Sequence, residues 1–175
     1  MKTTLVLNDT HGHFVDRKCF ELVLGFIKRE KPDNIVLLGD IVDFYKISSF
    51  DKDPTRPESL QDELDFVFDN ILTPIRKLAP QANLDYVEGN HEDRLRRHIW
   101  KNAEALASLR DLRLNRLLRL GELNIKYHKK SHKIGDMHFF HGNVIRKHAG
   151  YTAKAMYEKH GVTLIHGHTH RDGKY

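Results

Sequence analysis

The sequence predicts an α/β protein, and three observations carry that prediction. Short apolar runs alternate with helical patterns from the N-terminus onward. Five of those runs stop at polar segments rich in Asp, Asn and His. The first two runs flank one amphipathic helix, the arrangement of a parallel strand pair with a right-handed crossover. The polar segments are Asp9-Thr10-His11, Gly39-Asp40-Ile41-Val42-Asp43, Gly89-Asn90-His91-Glu92, His141-Gly142-Asn143 and Gly167-His168-Thr169-His170. Open α/β sheets place their sites at the carboxyl ends of strands, where these segments fall.

Taken in order, residues 3–8 form a strand that delivers Asp9 and His11, with Gly12 loosening the turn. Asp16 occupies an N-cap position before a helix with Phe20, Val23, Leu24 and Ile27 on one face, ended by Pro32-Asp33. The apolar run Ile35 to Leu38 then feeds Gly39-Asp40. Residues 44–58 show no period and contain Pro54 and Pro57, which reads as a long loop beside the strand ends. Ser59 opens the next helix, with Asp62 and Glu63 in its first turn. Leu60, Leu64, Val67, Phe68, Ile71, Ile75 and Leu78 form its core stripe, and Pro74 kinks its end. Leu84 to Glu88 is a strand running into Gly89-Asn90-His91.

From Arg94 to Leu120 the chain reads as helical and basic. Arg110, Arg113, Arg116 and Arg119 recur every third residue along one drifting face. That row is either a solvated face or a surface that tracks phosphates, to which Arg94, Arg96 and Arg97 would add. Ile125-Lys126-Tyr127 and Met137 to Phe140 read as strands of a second sheet. A helix from Thr152 to His160 leads to a final strand presenting His168 and His170.

At 175 residues the chain fits a single domain, 1–175, with a sizeable core. The single cysteine, Cys19, excludes an internal disulfide framework and fits a reducing, cytoplasmic setting. No apolar run approaches the ~20 residues that cross a bilayer, and the first strand is too short for a signal peptide, so no membrane contact is expected. Lys and Arg number 29 against 24 Asp and Glu, a formal charge of +5. Metal would neutralise several of the acids, which leans the surface toward a phosphate-bearing partner such as nucleic acid. Five of the 13 histidines fall in the polar segments. His13, His98, His128, His132, His138, His148, His160 and His166 read as surface or satisfied core residues.

The polar segments contain the donors a metal-assisted hydrolase needs. Asp9, His11, Asp40 and His170 could hold one divalent ion, and Asp40, Asn90, His141 and His168 a second. Asp40 is the natural bridge, because a carboxylate spans ions about 3.5–4 Å apart, and water between such ions loses a proton near neutral pH to become a nucleophile. His91, next to Asn90, is free to act as general acid toward the leaving group, with Asp43 orienting it.

These five segments resemble the calcineurin-like metallophosphoesterases, whose pattern D-x-H, G-D-x-x-D, G-N-H-[DE], a lone H and G-H-x-H is present in that order from Asp9 to His170. The resemblance implies a four-layer α-β-β-α sandwich with a dinuclear site at the strand ends, and agrees with the ligand set and with His91 and Asp43 in their roles. It implies two divalent ions, manganese foremost, with iron, zinc or nickel as alternatives. Phe44-Tyr45 stand where the protein serine/threonine phosphatases carry Arg-Gly, so the arginine clamp for a monoester is missing. The expectation is therefore a phosphodiesterase or nuclease acting on nucleic acid or nucleotides, with Arg94 and Arg97 near the phosphates. Phe44 and Tyr45 either stack on a base or pack in the core. The alternatives are a protein or small-molecule phosphomonoesterase and a non-catalytic metal-binding module, which should have lost ligands or His91. The chain ends five residues after His170, where relatives usually continue with further strands. A shortened second sheet is expected, or one completed by another subunit of a homo-oligomer.

Overall fold

The computed structural model describes residues 2–175; Met1, where the expected domain begins, lies outside them. Strand β1 (Thr4–Leu7) leads to helix α1 (Arg17–Glu30), whose N-cap Asp16 accepts the Cys19 N–H at 3.0 Å. Strand β2 (Asn34–Leu37) returns parallel to β1, with Leu5 opposite Ile35 and Leu7 opposite Leu37. Helix α2 (Leu60–Val67) begins at the Ser59 cap and passes through a π turn, Phe68–Leu72, into α3 (Thr73–Leu78). A π turn stands where the kink at Pro74 is expected. Proline has no N–H to offer the preceding turn, and the widened turn comes directly before it. Strand β3 (Asn83–Val87) then enters helix α4 (Asn90–Asn102).

After α4 the structure departs from the expected long basic helix. Short 3-10 turns cover Glu104–Ser108 and Arg110–Leu112, followed by the single-turn helix α5 (Leu114–Leu117). Leu109 and Arg113 are extended, which breaks the helical period and turns Leu114, Leu118 and Leu120 into the core. Arg110, Arg113 and Arg116 are exposed on a succession of short turns and not on the face of one helix. Arg119 is part-buried: it pairs with Asp65 at 3.1 Å and lies 3.6 Å from the centroid of the Phe68 ring.

Strand β4 (Ile125–His128) corrects a second expectation. It pairs in parallel with β3 and completes a first sheet of order β1-β2-β3-β4, instead of joining the second sheet. The second sheet has only three strands, β5 (His132–Ile134), β6 (Met137–Phe140) and β7 (Leu164–His166), with β5 antiparallel and β7 parallel to β6. Helix α6 (Ala149–His160) covers its outer face, where His160 stacks on Phe140 at 4.2 Å.

Strand β2 explains the layering. Ile35 and Leu37 face the core under α1, α2 and α3, while Val36 and Leu38 face the second sheet with Val87 and Phe139. A strand buried on both sides reads as a continuous apolar run, as this one does. The result is the four-layer α-β-β-α arrangement with a short second sheet. Among the described residues no helix is long and apolar enough to cross a membrane.

Candidate active site

All seven expected donors and His91 lie just beyond the carboxyl ends of β1, β2, β3, β6 and β7. Donor atoms of Asp9, His11 and His170 fall within 4.8 Å of one another, as do those of Asp40, His141 and His168. A third group, His11, Asp40 and His91, overlaps both and puts Asp40 between them. Asp40 Oδ2 stands 3.0 Å from His141 Nε2, and Asn90 Oδ1 3.1 Å from the same nitrogen. His170 Nε2 lies 3.5 Å from Asp9 Oδ1 and 3.1 Å from His11 Nε2.

This donor set fits a pair of divalent cations. His11 Nδ1 is committed to Asp43 Oδ1 at 3.1 Å. A neutral imidazole donates from one nitrogen only, so Nε2 turns a lone pair toward His170 and Asp9. Lone pairs and carboxylates converging on one point suit a cation, and the mix of imidazole with carboxylate and amide oxygen suits a first-row divalent metal.

Local backbone strain positions the donors. Asp9, His11, Asp40, His168 and His170 all have positive φ, between 50° and 73°. Non-glycine residues rarely adopt that region, and it persists only where surrounding contacts enforce it. Here the loops brace each other: Asp9 N–H donates to Gly39 O at 3.1 Å, and His11 N–H to Asp40 O at 2.9 Å. From the second sheet, His168 N–H donates to the Asp9 carboxylate at 3.1–3.2 Å.

Two buried acids that sequence reasoning gave no role hold this framework. Glu92 accepts N–H groups from Asp40 (2.9 Å), Ile41 (2.8 Å) and Gly89 (2.9 Å), and the Tyr86 hydroxyl (2.6 Å). Glu63 accepts the N–H groups of Asp43 (2.5 Å) and Phe44 (2.8 Å). Burial pushes both carboxyls up, and the neighbouring Asp40 adds to this at Glu92. Glu92 carries a faint sequence signal, since it closes the Gly89-Asn90-His91-Glu92 segment at the start of a helix. Glu63 carries none beyond its place in a first turn.

Burial works to raise Asp43 as well, but hydrogen bonds from His11 and His91 overcome it and hold the carboxyl well below the usual range. At Asp40 the outcome is the same, with His141 the main counterweight to burial. Burial works to lower His141, but Asp40, the Leu38 carbonyl and Glu92 together overcome it, so that imidazole ends above its ordinary value. His168 goes the other way, lowered by burial and by the nearby His141.

The expected substrate residues fare differently. Phe44 is 1% exposed and belongs to the main core, so it cannot stack on a base. Tyr45 is half-buried; its hydroxyl accepts the Asp53 N–H at 2.6 Å and its ring lies under Arg56. Arg94 points into the site, donating to Asp43 O at 2.8 Å and reaching His91 Nε2 at 2.9 Å. Arg97 is exposed, pairs with Asp93 at 3.0 Å, and lines a cleft of about 350 Å³ with Arg94, His98 and Lys101. A larger cavity of about 660 Å³ opens on Asp9, His11, Asp40, His91, His168 and His170, and its other wall is apolar, with Phe14, Val15, Phe20 and Val23.

Comparison with known proteins agrees with this architecture. The family model described as calcineurin-like phosphoesterase matches residues 2–172. Among curated proteins, the chain is 29% identical over 185 aligned residues to the Gene 54 protein of Mycobacterium phage D29, covering 98% of this chain and 70% of the relative. It is 28% identical to the Gene 54 protein of Mycobacterium phage L5, with the same coverage. The chain belongs to the calcineurin-like phosphoesterases and is a dinuclear metal-dependent hydrolase of phosphate esters.

Proposed function

We propose that the chain is a single-domain phosphodiesterase acting on nucleic acid or nucleotides. Asp9, His11, Asp40 and His170 would hold one divalent ion and Asp40, Asn90, His141 and His168 the other, with manganese foremost as the family resemblance implies. When bound, two such ions supply a water acidified to near-neutral pH and withdraw charge from the phosphoryl oxygens. His91 supplies the proton for the departing alkoxide. Its Nδ1 is anchored on Asp43 Oδ1 at 2.7 Å, which turns Nε2 toward the cluster, 3.8 Å from Asp40 Oδ2. Arg94 donates to that nitrogen at 2.9 Å and would turn to a phosphoryl oxygen when His91 carries its proton.

The observation that carries the substrate reading is the cationic face of α4. Arg94, Arg97, His98 and Lys101 follow the spacing i, i+3, i+4, i+7, so they share one side of the helix, and together they line a cleft from which Arg94 also contacts His91. A row of cations leading away from the reacting centre suits a polymer with successive phosphates better than an isolated monoester. This face takes the part expected of Arg110, Arg113 and Arg116. The apolar wall of the larger cavity supports a second reading, a nucleoside-sized phosphate ester whose base lies against Phe14 and Phe20.

The test is hydrolysis of single-stranded DNA, RNA, an aryl phosphodiester and a phosphopeptide with added manganese, with and without chelator. Cleavage of the nucleic acids and the diester, abolished by chelator, is expected. Cleavage of the phosphopeptide alone would overturn the reading.

A further inference from the structure

We infer that the protein carries a third metal site, a zinc site formed by Asp85, His128 and His132 that fastens the edges of the two sheets together. Asp85 comes from β3 and His128 from β4, both in the four-stranded sheet, while His132 begins β5 of the other sheet. Val87 pairs in register with His128, and Asp85 lies two residues before Val87 on the same strand face. Val87 belongs to the cluster between the sheets, so Asp85 and His128 also look toward the second sheet. None of the three is a donor of the candidate active site.

The geometry is that of a ligand set. Asp85 Oδ1 is 2.7 Å from His128 Nε2, Oδ2 is 3.5 Å from His132 Nε2, and the donor atoms all lie within 4.8 Å of one another. Around a tetrahedral zinc with bonds near 2.0–2.1 Å, neighbouring donors stand about 3.3 Å apart. The two separations from the carboxylate oxygens to the imidazole nitrogens, 2.7 and 3.5 Å, bracket that value. The spacing, His128-Lys129-Lys130-Ser131-His132, also falls within the His-x₃₋₅-His range of zinc sites.

Charge gives the second argument. Asp85 is 3% exposed, and among the described residues its carboxylate oxygens meet only these two imidazoles. The rings are 4.4 Å apart between centroids, so two imidazolium ions there would repel each other. One divalent ion satisfies the carboxylate and both lone pairs at once, and two imidazoles with one carboxylate are a zinc-type donor set. Lys126, Lys129, Lys130 and Lys133 nearby oppose a cation, but all four are exposed and screened by solvent and salt.

The test is a zinc titration of the metal-free chain against a chromophoric chelator, run on the parent, on His128→Ala/His132→Ala, and on Asp9→Asn/Asp40→Asn. The His128/His132 variant should bind one zinc fewer than the parent and still hydrolyse an aryl phosphodiester. The Asp9/Asp40 variant should still take up zinc. Loaded with Co²⁺, it should show the absorption of a tetrahedral imidazole-bound ion, which disappears when His132→Gln is added. That spectrum decides the matter even if the double alanine variant does not fold. Equal zinc uptake by the parent and the His128/His132 variant, or a cobalt spectrum indifferent to His132→Gln, would overturn the proposal. The two sets of residues are scored separately, so failure of the dinuclear centre and failure of this site give different results.

Discussion

Glu92 Oε2 accepts the backbone N–H of Asp40 at 2.9 Å, so the first turn of α4 holds the very loop that presents the central carboxylate. The other oxygen of Glu92 takes the Ile41 N–H and the Tyr86 hydroxyl in a fully buried setting. Truncation would leave these donors unpaired, at about 1–3 kcal/mol each. Glu92→Ala should therefore destabilise the fold by on the order of 3 kcal/mol and lower metal content, although Glu92 is not itself proposed as a ligand. Urea unfolding of metal-free protein, alongside elemental analysis, checks both. Unchanged stability would mean that the loop is held by other contacts.

The proposed donors stand out in the sequence because each follows an apolar run that ends abruptly at the end of its strand. The partners of those donors do not. Glu63 meets Asp43 and Phe44 from another helix, and nothing in a chain of letters marks a contact of that kind. The apolar pattern of Ile125 to Tyr127 announced a strand but not its sheet, since a strand's side-chain period is the same in either neighbourhood. The arginine row failed for a related reason. Its period was helical, but burial of Leu114, Leu118 and Leu120 outweighed the weak helical preference of an exposed stretch with no cap.

Gly39 offers a test of the close approach beneath the site. Its φ is +81°, and an added Cβ would stand 2.7 Å from both Gly89 N and His141 Nδ1. Backbone cannot yield as a flexible side chain does, so Gly39→Ala should separate the β2 and β3 loops and displace Asp40 and His141 together. The expected result is loss of at least one bound metal equivalent with secondary structure retained, read by elemental analysis and circular dichroism. Gly25, with nothing within 4 Å of an added Cβ, is the control, and its alanine variant should keep full metal content.

His91 is held to Asp43 and kept out of the proposed donor set, which separates acid catalysis from metal binding. His91→Ala should retain metal and lower turnover of an alkyl phosphodiester by about 10²–10⁴-fold, the range for general acid catalysis. The loss should shrink for a nitrophenyl ester, whose leaving group departs without a proton. Asp43→Asn should fall between, because it removes the anchor from His91 and from His11 at once. Equal losses for good and poor leaving groups in His91→Ala would show that the residue serves the site in some way other than proton donation.

The α4 face makes a prediction that no structural role for these cations would share. Arg97 and Lys101 are exposed, and among the described residues Arg97 is tied only to Asp93 and the Asn90 carbonyl, so reversing their charge should leave the fold and the donor cluster alone. If phosphates of a single strand lie along this face, each one neutralised by a cation releases counterion, and removing that cation weakens the dependence of log K on log salt by about 0.7. Arg97→Glu/Lys101→Glu should therefore bind single-stranded DNA or RNA more weakly, with a salt slope reduced by about 1.4, while an aryl phosphodiester too small to reach Arg97 is hydrolysed at the parent rate. Arg110→Glu/Arg113→Glu, on the short turn beyond α4, should change neither quantity. Equal salt slopes for the parent and the Arg97/Lys101 variant would remove the polymer from consideration and leave the apolar-walled cavity, with its nucleoside-sized ester, as the substrate site.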